Sequence, residues 1–166
     1  PFIRPKKLSD DYSTTTDVIE HAYEWSEANL GNIEFICALY ATAPFTSSSD
    51  ILNAYSEIKN NKNCQVVFPI VEFNFPIQRA IKLSDDGCLG MFQPDHLLTR
   101  SQDLEKAYHD AGQFYWMKSK FIGSGVSPFS KIARPIKIPH YRVQDIDTED
   151  DWIRAELIFQ SLLANK

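Results

Sequence analysis

Two short, unbroken apolar runs constrain the fold of this chain most. Phe35-Ile36-Cys37-Ala38-Leu39-Tyr40-Ala41 and Gln65-Val66-Val67-Phe68-Pro69-Ile70-Val71-Glu72-Phe73 are each bounded by turn residues. Continuous rather than alternating apolar character marks a strand covered on both faces, as in the sheet of an α/β protein. Between the runs, the serines at 47–49 offer a cap for a helix over residues 50–60. Strand, loop, helix, strand is the unit of a parallel α/β sheet, where ligands sit beyond the carboxyl ends of strands. The loop over residues 40–46 is therefore well placed for a site. Pro69 points to a bulge or an edge in the second strand.

Around this unit the pattern predicts a helix over residues 14–30, since Val18, Ile19, Ala22, Tyr23 and Trp25 recur at helical spacing and Gly31 follows. The opening residues 1–5 read as a strand ending in a loop. Residues 80–83 and 88–92, joined by Ser84-Asp85-Asp86-Gly87, read as a hairpin. A helix is expected over residues 101–109. Strands follow over residues 114–117 and 133–138, separated by a Gly/Ser/Pro loop. A last helix starts behind Asp145-Ile146-Asp147-Thr148, with Asp147 or Thr148 as N-cap and acidic residues in the first turn.

Composition narrows the partners. A formal charge of -5 argues against a sequence-independent grip on nucleic acid, which needs a basic face. No apolar run reaches membrane-spanning length. Cys37, Cys64 and Cys88 are an odd, widely spaced set without a C-x-x-C pair, and read as buried reduced thiols of a cytoplasmic protein. Glycine-rich phosphate loops, H-E-x-x-H and G-x-S-x-G are absent from these residues.

Two chemistries remain. Asp145 and Asp147 stand two apart, so on an extended segment they face the same way, a spacing that suits ligands for one hard cation. Solvated acids at a helix cap explain the same spacing. Arg4, Arg79, Arg100 and Lys82 each fall beside a predicted strand end or turn, where they could hold phosphate or carboxylate or simply form surface ion pairs.

Several stretches resemble a known family. Phe2-Ile3-Arg4-Pro5-Lys6-Lys7-Leu8-Ser9-Asp10-Asp11, with Val18-Ile19-Glu20-His21-Ala22 behind it, resembles the middle of CMP-sialic acid synthetases, and Asp145-Ile146-Asp147-Thr148-Glu149-Asp150-Asp151 resembles their metal-binding D-x-D segment. Leu39-Tyr40-Ala41-Thr42-Ala43-Pro44-Phe45 and Asp110-Ala111-Gly112-Gln113-Phe114-Tyr115-Trp116 bring the likeness closer to the pseudaminic acid cytidylyltransferases. The matches keep their order along essentially the whole chain.

The resemblance implies a Rossmann-like α/β nucleotidyltransferase, a three-layer sandwich on a mostly parallel sheet. A dimerisation arm falls within residues 74–130. It implies transfer of CMP from CTP to a nine-carbon 2-keto sugar acid, with pyrophosphate leaving and Mg²⁺ neutralising phosphate charge. Asp145 and Asp147 match the magnesium ligands, and Arg4, Ser13, Thr14 and Thr15 match positions that hold cytidine. Arg79 and Arg100 lie near basic contacts to carboxylate or phosphate. Tyr115 matches an aromatic residue near the sugar, and Phe129 one offered to the neighbouring subunit's site, making a homodimer part of the mechanism. Tyr40, where the sialic acid enzymes carry Gln, and Ala111-Gly112, where they carry Asn-Gly, favour pseudaminic acid. The family's first strand and its glycine- and lysine-rich triphosphate loop have no counterpart within residues 1–166. A cytidylyltransferase domain without that segment is thus expected, with little transfer by this stretch alone. Synthetases for sialic, legionaminic or 3-deoxy-manno-octulosonic acid, and a non-catalytic binding domain, remain alternatives.

Overall fold

A computed structural model describes residues 2–164, in the order α1 (Thr15–Leu30), β1 (Phe35–Leu39), α2 (Ser48–Asn60), β2 (Val66–Glu72), β3 (Ile81–Leu83), β4 (Leu89–Met91), β5 (Tyr108–Asp110), β6 (Phe114–Lys118), β7 (Ala133–Lys137) and α3 (Glu149–Ala164). The two apolar runs are strands, and α2 joins them. They are not neighbours, however. β6 lies between β1 and β2 and runs antiparallel to both. β1 and β2 therefore point the same way, as the crossover through α2 requires, and β7 joins β2 in parallel. The expectation of a mostly parallel sheet is corrected. β1–β6, β2–β5 and β2–β6 are antiparallel, and among the described residues only β2–β7 is parallel. An apolar run specifies a covered strand but not which strand lies at its edge.

Both faces of the sheet are covered, which explains the continuous apolar runs. Ala54 and Ile58 of α2 pack with Cys64, Val67 and Phe114 on one face. On the other, Val66, Phe68 and Met117 form a cluster against which Ile19 of α1 and Phe121 rest. β6 alternates accordingly, with Phe114 and Trp116 toward α2 and Tyr115 and Met117 toward α1. Of the three free cysteines, Cys64 is buried and Cys37 half-buried, whereas Cys88 is exposed, contrary to expectation.

The ladder breaks at one place. β5 and β6 are successive pieces of one strand, the first pairing with the far half of β2 and the second with its near half and with β1. The interruption falls at Ala111-Gly112-Gln113. Ala111 N–H donates to the Pro69 carbonyl at 3.0 Å, but Pro69 has no N–H to return the bond. Gly112 then turns at φ +62°, a left-handed conformation that disfavours a side chain. The chain bulges there, and bulges re-aim the side chains around them.

The helix expected at 101–109 is not formed. Ser101–Asp103 makes a single 3-10 turn, and Tyr108, His109 and Asp110 instead pair with Glu72, Val71 and Ile70. Tertiary pairing overrides a weak local propensity at these positions. Residues 2–5 hold no strand, and Pro1 lies outside the described residues. The hairpin forms as β3 and β4, part of an excursion between β2 and β5 that leaves Phe75, Leu83, Leu89 and Leu98 exposed.

Candidate active site

The carboxyl ends of β1, β2 and β7 lie at one end of the sheet, and the bulge opens there between them. Gln113, 2% exposed, ties the region together. Its carbonyl accepts the Tyr40 N–H at 2.9 Å, fixing the residue just past β1, and its amide nitrogen donates to the Arg142 carbonyl at 2.6 Å. Arg142 in turn grips Asp50 and Ser47 at the start of α2. The segment leading from β7 to the acidic stretch is thus fastened on both sides, and it delivers Asp145 to the bulge. A Cβ built on Gly112 would lie 3.5 Å from Asp145 Oδ2.

Two depressions share this end of the sheet. One, of about 380 Å³, is lined by Tyr40, Thr42, Asp110, Gly112 and Asp145. The other, of about 430 Å³, is mainly apolar, with Ile19, Met117, Val126 and Pro128 in its wall and Thr15 at the first turn of α1. Tyr40 belongs to both, and its ring meets Tyr115 edge-on at 6.0 Å. Tyr115 stacks on Phe68 at 5.0 Å, and Phe68 takes Phe129 edge-on at 5.6 Å. A ladder of rings therefore connects three of the predicted residues, Tyr40, Tyr115 and Phe129, through Phe68.

Asp110 was not anticipated. Its Oδ1 accepts the Gly112 N–H at 2.9 Å and its Oδ2 the Tyr115 hydroxyl. Burial pushes its carboxyl up from the ordinary value, the Gly112 bond and His109 pull it down, and Asp145 opposite adds to the rise. The one sequence signal near it is its place at the start of the stretch Asp110-Ala111-Gly112-Gln113-Phe114-Tyr115-Trp116, and its contacts depend on the bulge and on Pro69 and Asp145 arriving from elsewhere.

The other predicted residues fall mostly outside the two depressions. Thr148 is the N-cap of α3: its hydroxyl accepts from Asp151 N–H at 3.3 Å, and the Asp151 carboxylate accepts the Thr148 hydroxyl at 2.7 Å and its N–H at 3.0 Å, the hydroxyl bond above all holding that carboxyl below its ordinary value. Asp147 donates its N–H toward that same carboxylate at 3.4 Å, and its side chain lies outside the lining of the depression that Asp145 enters. Thr14 caps α1 in a reciprocal box with Asp17, and Ser13 is engaged with Asp10. Arg4 donates to Ser9 at 3.1 Å on the surface. Arg79 reaches Ser101 at 3.4 Å and Arg100 pairs with Asp103 at 2.7 Å, so these two sit together on the excursion and line neither depression.

A magnesium ion fits this donor set in a specific sense. Among the described residues no group of three acidic, histidine or cysteine side chains forms a closed cage. Mg²⁺ is ordinarily bound by one or two carboxylates, waters and substrate phosphates rather than by an all-protein cage. Asp145, exposed at the mouth of the depression, suits that mode. Among the described residues no helix is long and apolar enough to cross a membrane.

No protein-family model matches the chain. Individual proteins do. A pseudaminic acid cytidylyltransferase of Campylobacter jejuni subsp. jejuni serotype O:2 is 37% identical, the match covering 96% of this chain and 68% of the relative. The same enzyme from serotype O:23/36 gives the same figures. A Helicobacter pylori protein named pseudaminic acid cytidylyltransferase and UDP-2,4-diacetamido-2,4,6-trideoxy-beta-L-altropyranose hydrolase is 32% identical over 87% of this chain and 27% of its own length. Identity at this level, across nearly the whole chain and two thirds of the Campylobacter relatives, shows that this chain belongs to the pseudaminic acid cytidylyltransferase family of enzymes.

Proposed function

We propose that the chain takes part in transfer of CMP from CTP to the anomeric hydroxyl of a nine-carbon 2-keto sugar acid, with pseudaminic acid as substrate. The sugar oxygen forms a bond to the α-phosphorus while the bond from that phosphorus to the leaving pyrophosphate breaks. The observation that carries this reading is the meeting of Asp145, Asp110, Tyr40 and Tyr115 at the carboxyl ends of co-directional strands, in a chain 37% identical to enzymes of that name. The Helicobacter relative's name joins this activity to work on a diacetamido sugar, which supports an acetamido-bearing substrate here.

Each part of the cleft has a task. Asp145, with Asp147 beside it in sequence, holds Mg²⁺, which when bound neutralises charge on the phosphate oxygens. The apolar depression at the first turn of α1 takes the less polar part of the ligand, and the rings of Tyr40 and Tyr115 exclude water from the boundary. Thr15, with Arg4, Ser13 and Thr14 close by in sequence, supports the cytidine. Arg79 and Arg100 act from the excursion, whose exposed Phe75, Leu83, Leu89 and Leu98 are covered by a second copy of the chain. In that homodimer Phe129, 68% exposed, faces the neighbour's sugar site.

The test is product analysis with CTP, Mg²⁺ and each of pseudaminic, legionaminic, sialic and 3-deoxy-manno-octulosonic acid. It is run with the chain alone and with the chain extended by the segments its relatives carry beyond the match. CMP-pseudaminic acid as the main product supports the reading, and CMP-sialic acid as the main product contradicts it.

A further inference from the structure

Asp110 and Tyr115 form a pair whose polarity is fixed by its surroundings. A phenol has one proton to give, and a carboxylate has only acceptors. One carboxylate oxygen of Asp110 is committed to the Gly112 N–H at 2.9 Å, and the other receives the Tyr115 hydroxyl. The bulge holds Asp110 in this position, because Gly112 sits at φ +62° and the Ala111 N–H is fastened to Pro69. The Tyr115 ring is held by stacking on Phe68 at 5.0 Å, which keeps its oxygen beside Asp110, and the Asp110 carboxylate sets where the phenol proton points.

We propose that Asp110 is a positioning residue for Tyr115: by taking the phenol proton it makes the Tyr115 oxygen an acceptor toward the ligand, selecting an acetamido N–H at that point. The inference rests on the sugar-acid reading of this cleft. Two features point to an acetamido group. Its N–H supplies the donor that the Tyr115 oxygen lacks. Its methyl group suits the apolar wall that Tyr115 shares with Ile19, Met117, Val126 and Pro128. A carboxylate or keto oxygen placed there would meet lone pairs with lone pairs. Asp110 and Tyr115 thus sort ligand groups by hydrogen-bond polarity, and a site built to accept a proton discriminates strongly against a group that has none.

Asp110→Asn tests this without changing size. The single amide oxygen keeps the Gly112 bond, and the NH₂ group then donates to Tyr115, so the phenol proton turns toward the ligand. Two readouts are taken: the ¹³Cζ resonance of Tyr115, assigned through Tyr115→Phe, and calorimetric binding of pseudaminic acid to the intact chain. The resonance is expected to move in Asp110→Asn, and affinity to fall about tenfold, the scale of one well-placed hydrogen bond. Tyr115→Phe is expected to lose a similar factor, and the double variant no more than either single one. An unmoved resonance, or losses that multiply in the double variant, overturns the proposal. A resonance that moves in Asp110→Asn, together with a wild-type chain that binds no pseudaminic acid, contradicts the sugar-acid reading while supporting the hold of Asp110 on Tyr115. As a measurement independent of Asp110 variants, the wild type is expected to prefer pseudaminic acid over its analogue with acetoxy in place of acetamido groups, and Tyr115→Phe to lose that preference. Equal preference in both proteins overturns the acetamido assignment.

Discussion

Arg142 clasps Asp50 across 92 residues of sequence, with Nη1 2.6 Å from one carboxylate oxygen and Nη2 3.2 Å from the other. Asp50 is 13% exposed and Arg142 22%, so water competes little for either charge. The pair joins the first turn of α2 to the strap that carries Asp145, and Gln113 fastens the same strap from the sheet side. The candidate site is therefore positioned by a charge pair and one buried amide, neither of which touches the depressions' mouths.

Breaking this clasp should loosen the whole chain. Arg142→Ala leaves the Asp50 carboxylate with Ser47 alone and is expected to cost about 2 kcal/mol of stability, between the values of exposed and fully buried pairs, because both groups keep some solvent contact. Arg142→Lys should recover less than half, since an ammonium cannot match the two-pronged geometry. Urea unfolding of the three proteins measures both.

The same pair gives acid sensitivity with a definite sign. Burial alone would raise the Asp50 carboxyl, but hydrogen bonds from Arg142 and Ser47 outweigh it and hold the group below its ordinary 3.8. A depressed carboxyl stabilises the fold fully above its unfolded value, and that contribution is lost as pH falls through the folded one. Wild-type stability should thus drop below about pH 4, and Asp50→Asn should flatten this part of the profile while lowering stability at neutral pH. Urea midpoints measured against pH decide it.

Gly112 sits where backbone strain and the site coincide. In Gly112→Ala the new Cβ meets Asp145 Oδ2 at 3.5 Å, an ordinary contact, so the cost comes from φ +62° and not from crowding. About 1 kcal/mol of stability should be lost. Thermal unfolding tests the figure.

The acidic stretch should divide its labour. Asp145→Asn is expected to reduce Mg²⁺-dependent product formation by more than about tenfold, roughly 1.4 kcal/mol in barrier, with little change in stability. Asp147→Asn should match that loss if both carboxylates hold the ion. Thr148→Ala should do the reverse, lowering stability by about 1 kcal/mol through the lost cap and sparing the metal dependence. Titrating Mg²⁺ for each variant alongside its unfolding curve separates the roles.

Much of the layout was readable from residue order. Runs without polar alternation marked β1 and β2, Thr14 and Ser47 announced the starts of α1 and α2, and Ser84-Asp85-Asp86-Gly87 announced the hairpin. The insertion of β6 between β1 and β2 was not readable, because strand edges carry no residue code. Tyr108 and His109 fall within the helix expected over residues 101–109, but they pair with β2 instead. Tyr40 and Asp145 line one depression and Tyr115 meets the Tyr40 ring, whereas Asp110, Gln113 and Phe68 acquire their places only through partners distant in sequence.

Recognition of pseudaminic acid by the cleft that Tyr40 and Tyr115 divide, proposed above, is open to direct measurement. Saturation-transfer NMR of the chain with pseudaminic acid and sialic acid in one sample, with Mg²⁺ and CTP present, tests it most directly. Transfer to pseudaminic acid is expected to be strongest at its acetamido methyl protons and to be lost in Tyr115→Ala. Transfer to sialic acid alone, or to both sugars equally and unchanged by Tyr115→Ala, would contradict it.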